Sequence, residues 1–244
     1  MNGMIVVDKP INWTSMDVVA RVRRSARDGM RASGHPIKRV KCGHAGTLDP
    51  LATGVLVCGI GRATKRMAEV MGQTKRYVAG ICLAGFTPTD DAEGQAELTR
   101  VPTDTPPTSE QLDAALLTLT GDILQAPPAY SAIHINGRRA YERVRAGQDV
   151  RLEPRPVRVD RIDVLDYAFP DLTLDISCGK GTYIRSLARD LGRALGTGGY
   201  LTSLRRTAVG GFTLDQAFPI ERFESPLDED DLIPIDTPDA DMPA

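Results

Sequence analysis

Apolar positions recur along the chain with two periods. Residues 4–8 read as a short strand closed by a Lys9-Pro10 turn, and residues 55–60 and 77–83 read as further strands. Both faces of the 77–83 run are apolar or small, as in a central strand. Thr14-Ser15-Met16-Asp17 has the form of a capping box, and Val18, Val19, Val22 and Ala26 then predict a helix to about Arg27. A second box, Thr108-Ser109-Glu110-Gln111, opens a helix with Leu112, Ala115, Leu116 and Leu119 on one face, ended by Gly121. Residues 157–167 and 172–178 alternate as strands, and Ile184, Leu187, Ala188, Leu191 and Leu195 fall at helical spacing. Residues 28–41 read as a basic loop, with Gly29 and Gly34-His35-Pro36 as breakers. Residues 87–107 carry four prolines and read as loop-rich. Strands and helices mix without a regular βαβ repeat, which predicts an α+β fold on a mixed, largely antiparallel sheet.

Composition narrows this little. With 244 residues, 41% of them hydrophobic and 25% charged, the chain can bury a core without disulfide staples. Cys42, Cys58, Cys82 and Cys178 contain no CxxC pair, so no zinc site is expected. Isolated thiols, and an N-terminus whose apolar run ends at Asp8, fit a reducing cytoplasm better than secretion. No stretch is long and apolar enough for a membrane span.

The charge distribution changes the picture more. The net charge is −2, yet residues 221–244 hold nine acidic residues and one basic, leaving 29 basic against 23 acidic residues before them. The basic residues cluster between Arg21 and Lys41, at Arg62, Lys65, Arg66, Lys75 and Arg76, and between Arg138 and Arg158. One such patch reads equally as a solvated face or a phosphate contact; three on one chain shift the reading towards nucleic acid, since arginine forks suit phosphate. The acidic stretch from about Glu221 reads as a mobile or loosely docked tail.

Two segments carry candidate chemistry. In Gly43-His44-Ala45-Gly46-Thr47-Leu48-Asp49-Pro50-Leu51-Ala52-Thr53-Gly54, small residues and turn formers surround one histidine and one aspartate. Its three glycines would let backbone approach a ligand. Asp49 could be a nucleophile, a general base or a metal ligand, or an Asx-turn residue that shapes the loop. In Cys178-Gly179-Lys180-Gly181-Thr182-Tyr183-Ile184-Arg185, a strand passes through a Gly-x-Gly turn into a helix, without P-loop spacing. Arg185 in the first turn of that helix opposes the macrodipole, so an anion is expected beside it, either a protein carboxylate or a phosphate.

At these residues the chain closely resembles the TruB family of bacterial tRNA pseudouridine-55 synthases. The shared segments include Val7-Asp8-Lys9-Pro10, residues 43–56, Lys75-Arg76-Tyr77, Pro128-Ala129-Tyr130-Ser131-Ala132, residues 178–185 and Leu204-Arg205-Arg206-Thr207. The resemblance implies a pseudouridine synthase fold with its catalytic cleft across the sheet. It implies isomerisation of uridine 55 in the T loop of tRNA: the base is flipped out, its N1–C1′ bond broken, and the base rejoined through C5. No group is gained and no redox step occurs, so no cofactor and no metal are implied.

The resemblance also distributes roles. Asp49 matches the catalytic aspartate, attacking either the sugar or the base. Tyr77 matches the tyrosine that stacks on the target base, and Arg185 the arginine that pairs with the aspartate. Tyr183 and Leu204 match pocket residues near the base, and His44 a histidine that holds the opened T loop. Lys9 matches a lysine supporting the site. Lys65, Arg66 and the basic group at 138–145 are the expected phosphate contacts. Residues 1–220 are expected to form the catalytic domain, with 221–244 a linker-like tail and the PUA-like RNA-binding domain of many relatives absent. The basic stretch 25–41 is expected to be a flexible loop touching RNA, with a plain surface insertion as the equal alternative. The expected protein is a cytoplasmic monomer with tRNA as partner, no obligate protein partner and no membrane. A tRNA-folding chaperone without chemistry is the rival reading, but it gains nothing from the Asp49, Tyr77 and Arg185 set. A metal-dependent nuclease would want several clustered carboxylates.

Overall fold

A computed structural model describes residues 1–35, 39–103, 105–131, 133–135 and 137–235. The chain forms two compact units, one of residues 1–73 and 206–244, the other of residues 74–205.

The first unit opens with β1 (Gly3–Lys9) and helix α1 (Ser15–Ala32). It continues through β2 (Cys42–His44), β3 (Ala52–Ile60), a 3-10 turn at Gly61–Arg66 and α2 (Met67–Gly72). The second unit begins with β4 (Lys75–Cys82), followed by the short strands β5 (Gly85–Phe86) and β6 (Thr99–Arg100). Then come α3 (Ser109–Thr118), β7 (Gly121–Gln125), the two-residue strands β8 (His134–Ile135) and β9 (Arg138–Arg139), and α4 (Ala140–Arg145). It ends with β10 (Arg155–Ala168), β11 (Asp171–Cys178) and α5 (Ile184–Leu195). Strand β12 (Tyr200–Val209) carries the chain back into the first unit, which closes with β13 (Phe212–Thr213) and β14 (Phe218–Pro219).

In the first unit β1 lies antiparallel to β3, from Gly3 opposite Ile60 to Lys9 opposite Gly54, and parallel to β14. In the second, β4, β11, β10 and β7 pair antiparallel in that spatial order. The α+β class with mixed, largely antiparallel pairing is therefore as expected. Both capping boxes form, Thr14 on Asp17 and Thr108 on Gln111. The apolar stripe of α5 is buried at Ile184, Leu187, Ala188 and Leu191.

Two expectations fail in the first unit. The helix expected to stop near Arg27 runs to Ala32, so much of the supposed basic loop is helical. Gly29 is not a breaker but a contact: a Cβ there would lie 1.8 Å from the Leu227 carbonyl oxygen. Pro36, Ile37 and Lys38 of the expected loop lie outside the described residues. The second failure is the other side of that contact. Residues 221–235 are packed rather than loosely docked, with Phe223, Leu227 and Leu232 buried against Val18, Val22 and Ala26 of α1 and strands β1 and β3. Met4 and Ile233 exchange backbone hydrogen bonds of 2.8 Å in both directions, and the Ser25 hydroxyl donates to the Ser225 carbonyl. Three buried apolar side chains outweigh the acidic neighbours, of which Glu221, Glu224, Asp228, Glu229 and Asp230 are exposed and Asp231 pairs with Arg222. Among the described residues, no helix is long and apolar enough to cross a membrane.

Candidate active site

The glycine-rich motif joins β2 to β3. His44 is the last paired residue of β2, opposite Cys58, and the chain then leaves the sheet as a loop that returns at Ala52. Asp49 sits in that loop, half-buried, where its carbonyl accepts from the Ala52 amide at 3.0 Å.

Both neighbours of Asp49 are pinned. The Ser15 hydroxyl, buried at the start of α1, accepts from the Leu48 amide at 2.8 Å and donates to the Leu48 carbonyl at 3.1 Å. The Pro50 carbonyl accepts from the Asn12 amide at 2.9 Å and from Lys9 Nζ at 3.4 Å. Lys9 Nζ also donates to the Pro10 and Trp13 carbonyls, at 2.9 and 2.6 Å. Deeper in the loop, Arg206 donates from Nε to the Val55 carbonyl at 2.7 Å and from Nη2 to the Gly46 carbonyl at 3.1 Å. The close approach allowed by Gly54 is to the protein itself. Its φ is +99°, and a Cβ would stand 2.2 Å from the Arg206 carbonyl oxygen. A loop held at residues 46, 48, 50 and 55 cannot shift the Asp49 backbone without breaking those bonds, which is part of the preorganisation a reacting group needs.

The electrostatics follow from this packing. Lys9 is fully buried, and burial pushes its ammonium down to about 8. The Asp49 carboxylate pushes it back up, and the Arg206 guanidinium presses it further down. Burial, with the Arg206 charge behind it, also lowers His44, so its imidazole is held neutral. Lys9 and His44 thus both feel the Arg206 charge, and Lys9 feels the Asp49 carboxylate as well. Lys65 and Arg66 are not among these residues. They lie on the turn beyond β3, a strand about 30 Å long, Lys65 exposed and Arg66 gripping Glu69 through two 2.9 Å bonds.

The second unit holds the other expected residues. Tyr77 is buried in β4, opposite Ile176 of β11. Tyr183 caps α5; the buried Gln125 accepts from its amide at 2.8 Å and donates to its carbonyl at 3.1 Å, and the Arg155 guanidinium stacks 5.3 Å from its ring. Leu204 is half-buried in β12. Arg185 is buried and faces the Asp91 carboxylate at 3.4 Å, while donating to the carbonyls of Thr89 at 3.0 Å and Tyr130 at 3.1 Å. A protein carboxylate therefore stands beside the cation that opposes the helix dipole. One turn on, Arg189 binds Asp90 at 2.7 Å and the Ala126 carbonyl at 2.8 Å. Burial raises Asp90, and Arg189 draws it back down.

Sequence reasoning missed Ser15, Gln125, Asp90, Asp91, Arg189 and Arg206 as parts of these arrangements. The sequence carried no sign of the buried arginines: at 3.6 residues per turn Arg185 lies about 100° and Arg189 about 145° from the centre of the α5 apolar stripe, where solvent exposure is the ordinary expectation. Nothing in the sequence pairs them with Asp90 and Asp91, some 95 residues earlier in a proline-rich loop.

Two family models match the chain: the TruB family pseudouridylate synthase N-terminal domain over residues 35–184, and the tRNA pseudouridylate synthase B C-terminal domain over residues 185–232. A tRNA pseudouridine synthase B of an Arthrobacter species is 49% identical over 234 residues, 93% of this chain and 72% of that one. The protein of the same name from Corynebacterium aurimucosum is 51% identical, over 91% of this chain and 72% of its own. That from Mycobacterium leprae is 48% identical, over 95% and 73%. Among solved structures, a chain of a Cbf5-Nop10-Gar1 complex aligns with a TM-score of 0.65 and 28% identity over 90% of this chain. A chain of an H/ACA RNP bound to a substrate RNA containing 2'-deoxyuridine aligns with a TM-score of 0.62 and 28% identity, also over 90% of this chain. This chain spans about half the length of each of those two.

Proposed function

The chain belongs to the TruB family of pseudouridylate synthases, and on that premise we propose that it isomerises uridine 55 in the T loop of tRNA with Asp49 as the catalytic carboxylate. It is a tRNA pseudouridine synthase, an enzyme that forms pseudouridine in tRNA. The observation that supports the finer reading is the pinning of Leu48 and Pro50, which holds the backbone of Asp49 between them.

A uridine inside a folded T arm must be extruded before reaction, at a cost of a few kcal/mol that stacking and backbone contacts offset. In this reading Tyr77 stacks on the flipped base, Tyr183 and Leu204 pack near it, and His44 holds the opened loop. Asp49, ionised, adds to the sugar C1′ or to the base; the N1–C1′ bond breaks, the base turns, C5 bonds to C1′ as the bond to Asp49 breaks and the carboxylate is released, and N1 takes up a proton. The C5 proton then leaves to water, and the Tyr77 hydroxyl is a candidate to take part in its transfer. Arg185 is the cation that serves the carboxylate, held in place by Asp91 and two carbonyls. Lys9 supports the site, as its burial and three carbonyl partners suggest. Lys65, Arg66 and the basic group at 138–145 meet phosphates. The working protein is a cytoplasmic monomer.

The test is tritium release from a T-arm stem-loop carrying [5-³H]uridine, without added metal or cofactor. Release from one position, lost in Asp49→Asn while RNA binding persists, is the expected result. Undiminished release by that variant would refute the role of Asp49.

A further inference from the structure

On the first unit, away from the glycine-rich loop, the second half of α1 and the segment leading into β2 enclose a groove of about 550 Å³. Five arginines line it: Arg23, Arg24, Arg27 and Arg31 from α1, and Arg39. All five are exposed. Their opposition is Asp28, the one acidic residue between positions 18 and 48, which lies 3.5 to 3.9 Å from Arg24, Arg27 and Arg31. Within this stretch of the chain five guanidiniums face one shared carboxylate; the other acids packed on α1 are those of the 221–235 segment, on the side of Ser25 and Gly29.

This ridge is a consequence of the helix's inner face. Val18, Val19, Val22, Ala26 and Gly29 are buried, so positions 23, 24, 27 and 31 turn outward together. Arginine is a good helix former, but crowding like charges at spacings of three and four residues costs a few tenths of a kcal/mol per pair, a cost that an anion seated on the ridge would offset. Arg23, Arg27 and Arg31 rise by about 6 Å each along the axis. That is the scale of the step between successive phosphates on one RNA strand, and guanidinium forks match phosphate oxygens two at a time.

We propose that this groove binds the ribose–phosphate backbone of the RNA substrate. Arg23 to Arg31 lie about 12 to 24 Å along the helix axis from Ser15, the residue that pins Leu48. The groove therefore grips the substrate at a distance from the reacting nucleotide. The inference rests on the reading of this chain as an enzyme acting on tRNA, but it concerns binding and is tested as binding.

The experiment measures Kd for unmodified tRNA across a salt series, with the Arg23→Gln/Arg27→Gln/Arg31→Gln triple variant beside the wild type. Three lost phosphate contacts should make the log K against log salt slope shallower by about 2 to 3, and raise Kd at least ten-fold at physiological salt. The triple lysine variant, which keeps the charge, should recover most of the slope. Unchanged Kd and slope in the glutamine variant would overturn the proposal and leave an acidic protein surface as the groove's partner. A glutamine effect that lysine fails to rescue would also overturn it, since charge would not be the cause. Wild-type protein that binds tRNA with this arginine dependence but releases no tritium would sink the proposed chemistry and not the groove.

Discussion

Arg206→Met tests the clamp on the glycine-rich loop that carries Asp49. The side chain is 1% exposed and donates to the carbonyls of Val55 and Gly46, at 2.7 and 3.1 Å. Methionine fills similar space but donates nothing. Each carbonyl left without this donor costs about 1–3 kcal/mol, and removing a buried charge returns part of that. A net loss of about 3 kcal/mol is expected, which lowers Tm by roughly 6–12 °C in a chain of this size. A second readout separates electrostatics from packing. Burial, with Arg206 adding to it, holds Lys9 at about 8 against an ordinary 10.5. Between those values the folded protein binds fewer protons at Lys9 than the unfolded chain, so Lys9 makes unfolding free energy rise with pH through that window. Below about pH 8 both states are protonated and this group contributes no slope. Removing the Arg206 charge raises Lys9 and narrows the window from its lower edge. Urea unfolding at pH 7, 8, 9 and 10 reads both effects. A variant within about 0.5 kcal/mol of wild type at pH 7, or one with the wild-type rise from pH 8 to 10, would refute the clamp.

Two further predictions concern burial that the sequence did not advertise. Arg185→Met should abolish tritium release and lose about 3–5 kcal/mol, because the Asp91 carboxylate stays buried without this guanidinium; Arg185→Lys should keep more of the stability than of the activity, and full turnover by the lysine variant would remove Arg185 from the mechanism. Gly29→Ala places a methyl 1.8 Å from the Leu227 carbonyl oxygen, so α1 or the C-terminal segment must shift at a cost of about 1–3 kcal/mol. Limited proteolysis should then cut within 221–235, and wild-type resistance would show that the contact carries no strain.

The sequence by itself determined most of the elements and the chemistry-bearing motif. Capping boxes and apolar stripes are local, since each depends on residues within a turn or two, and so Thr14, Thr108 and the α5 stripe were legible. Asp49, in a segment of turn formers, stood out by residue type, and the resemblance assigned its role. Tertiary structure decided what surrounds it. Arg206 reaches Gly46 across 160 positions and Arg185 reaches Asp91 across nearly a hundred. No periodicity records such pairings. Gly29 and the acidic tail were misread for the same reason. By sequence Gly29 reads as a breaker and Leu227 as part of a mobile or loosely docked tail, because each makes sense only against the other. Local propensity is weak, a fraction of a kcal/mol per residue, and packing of Phe223, Leu227 and Leu232 into an apolar core is several times stronger.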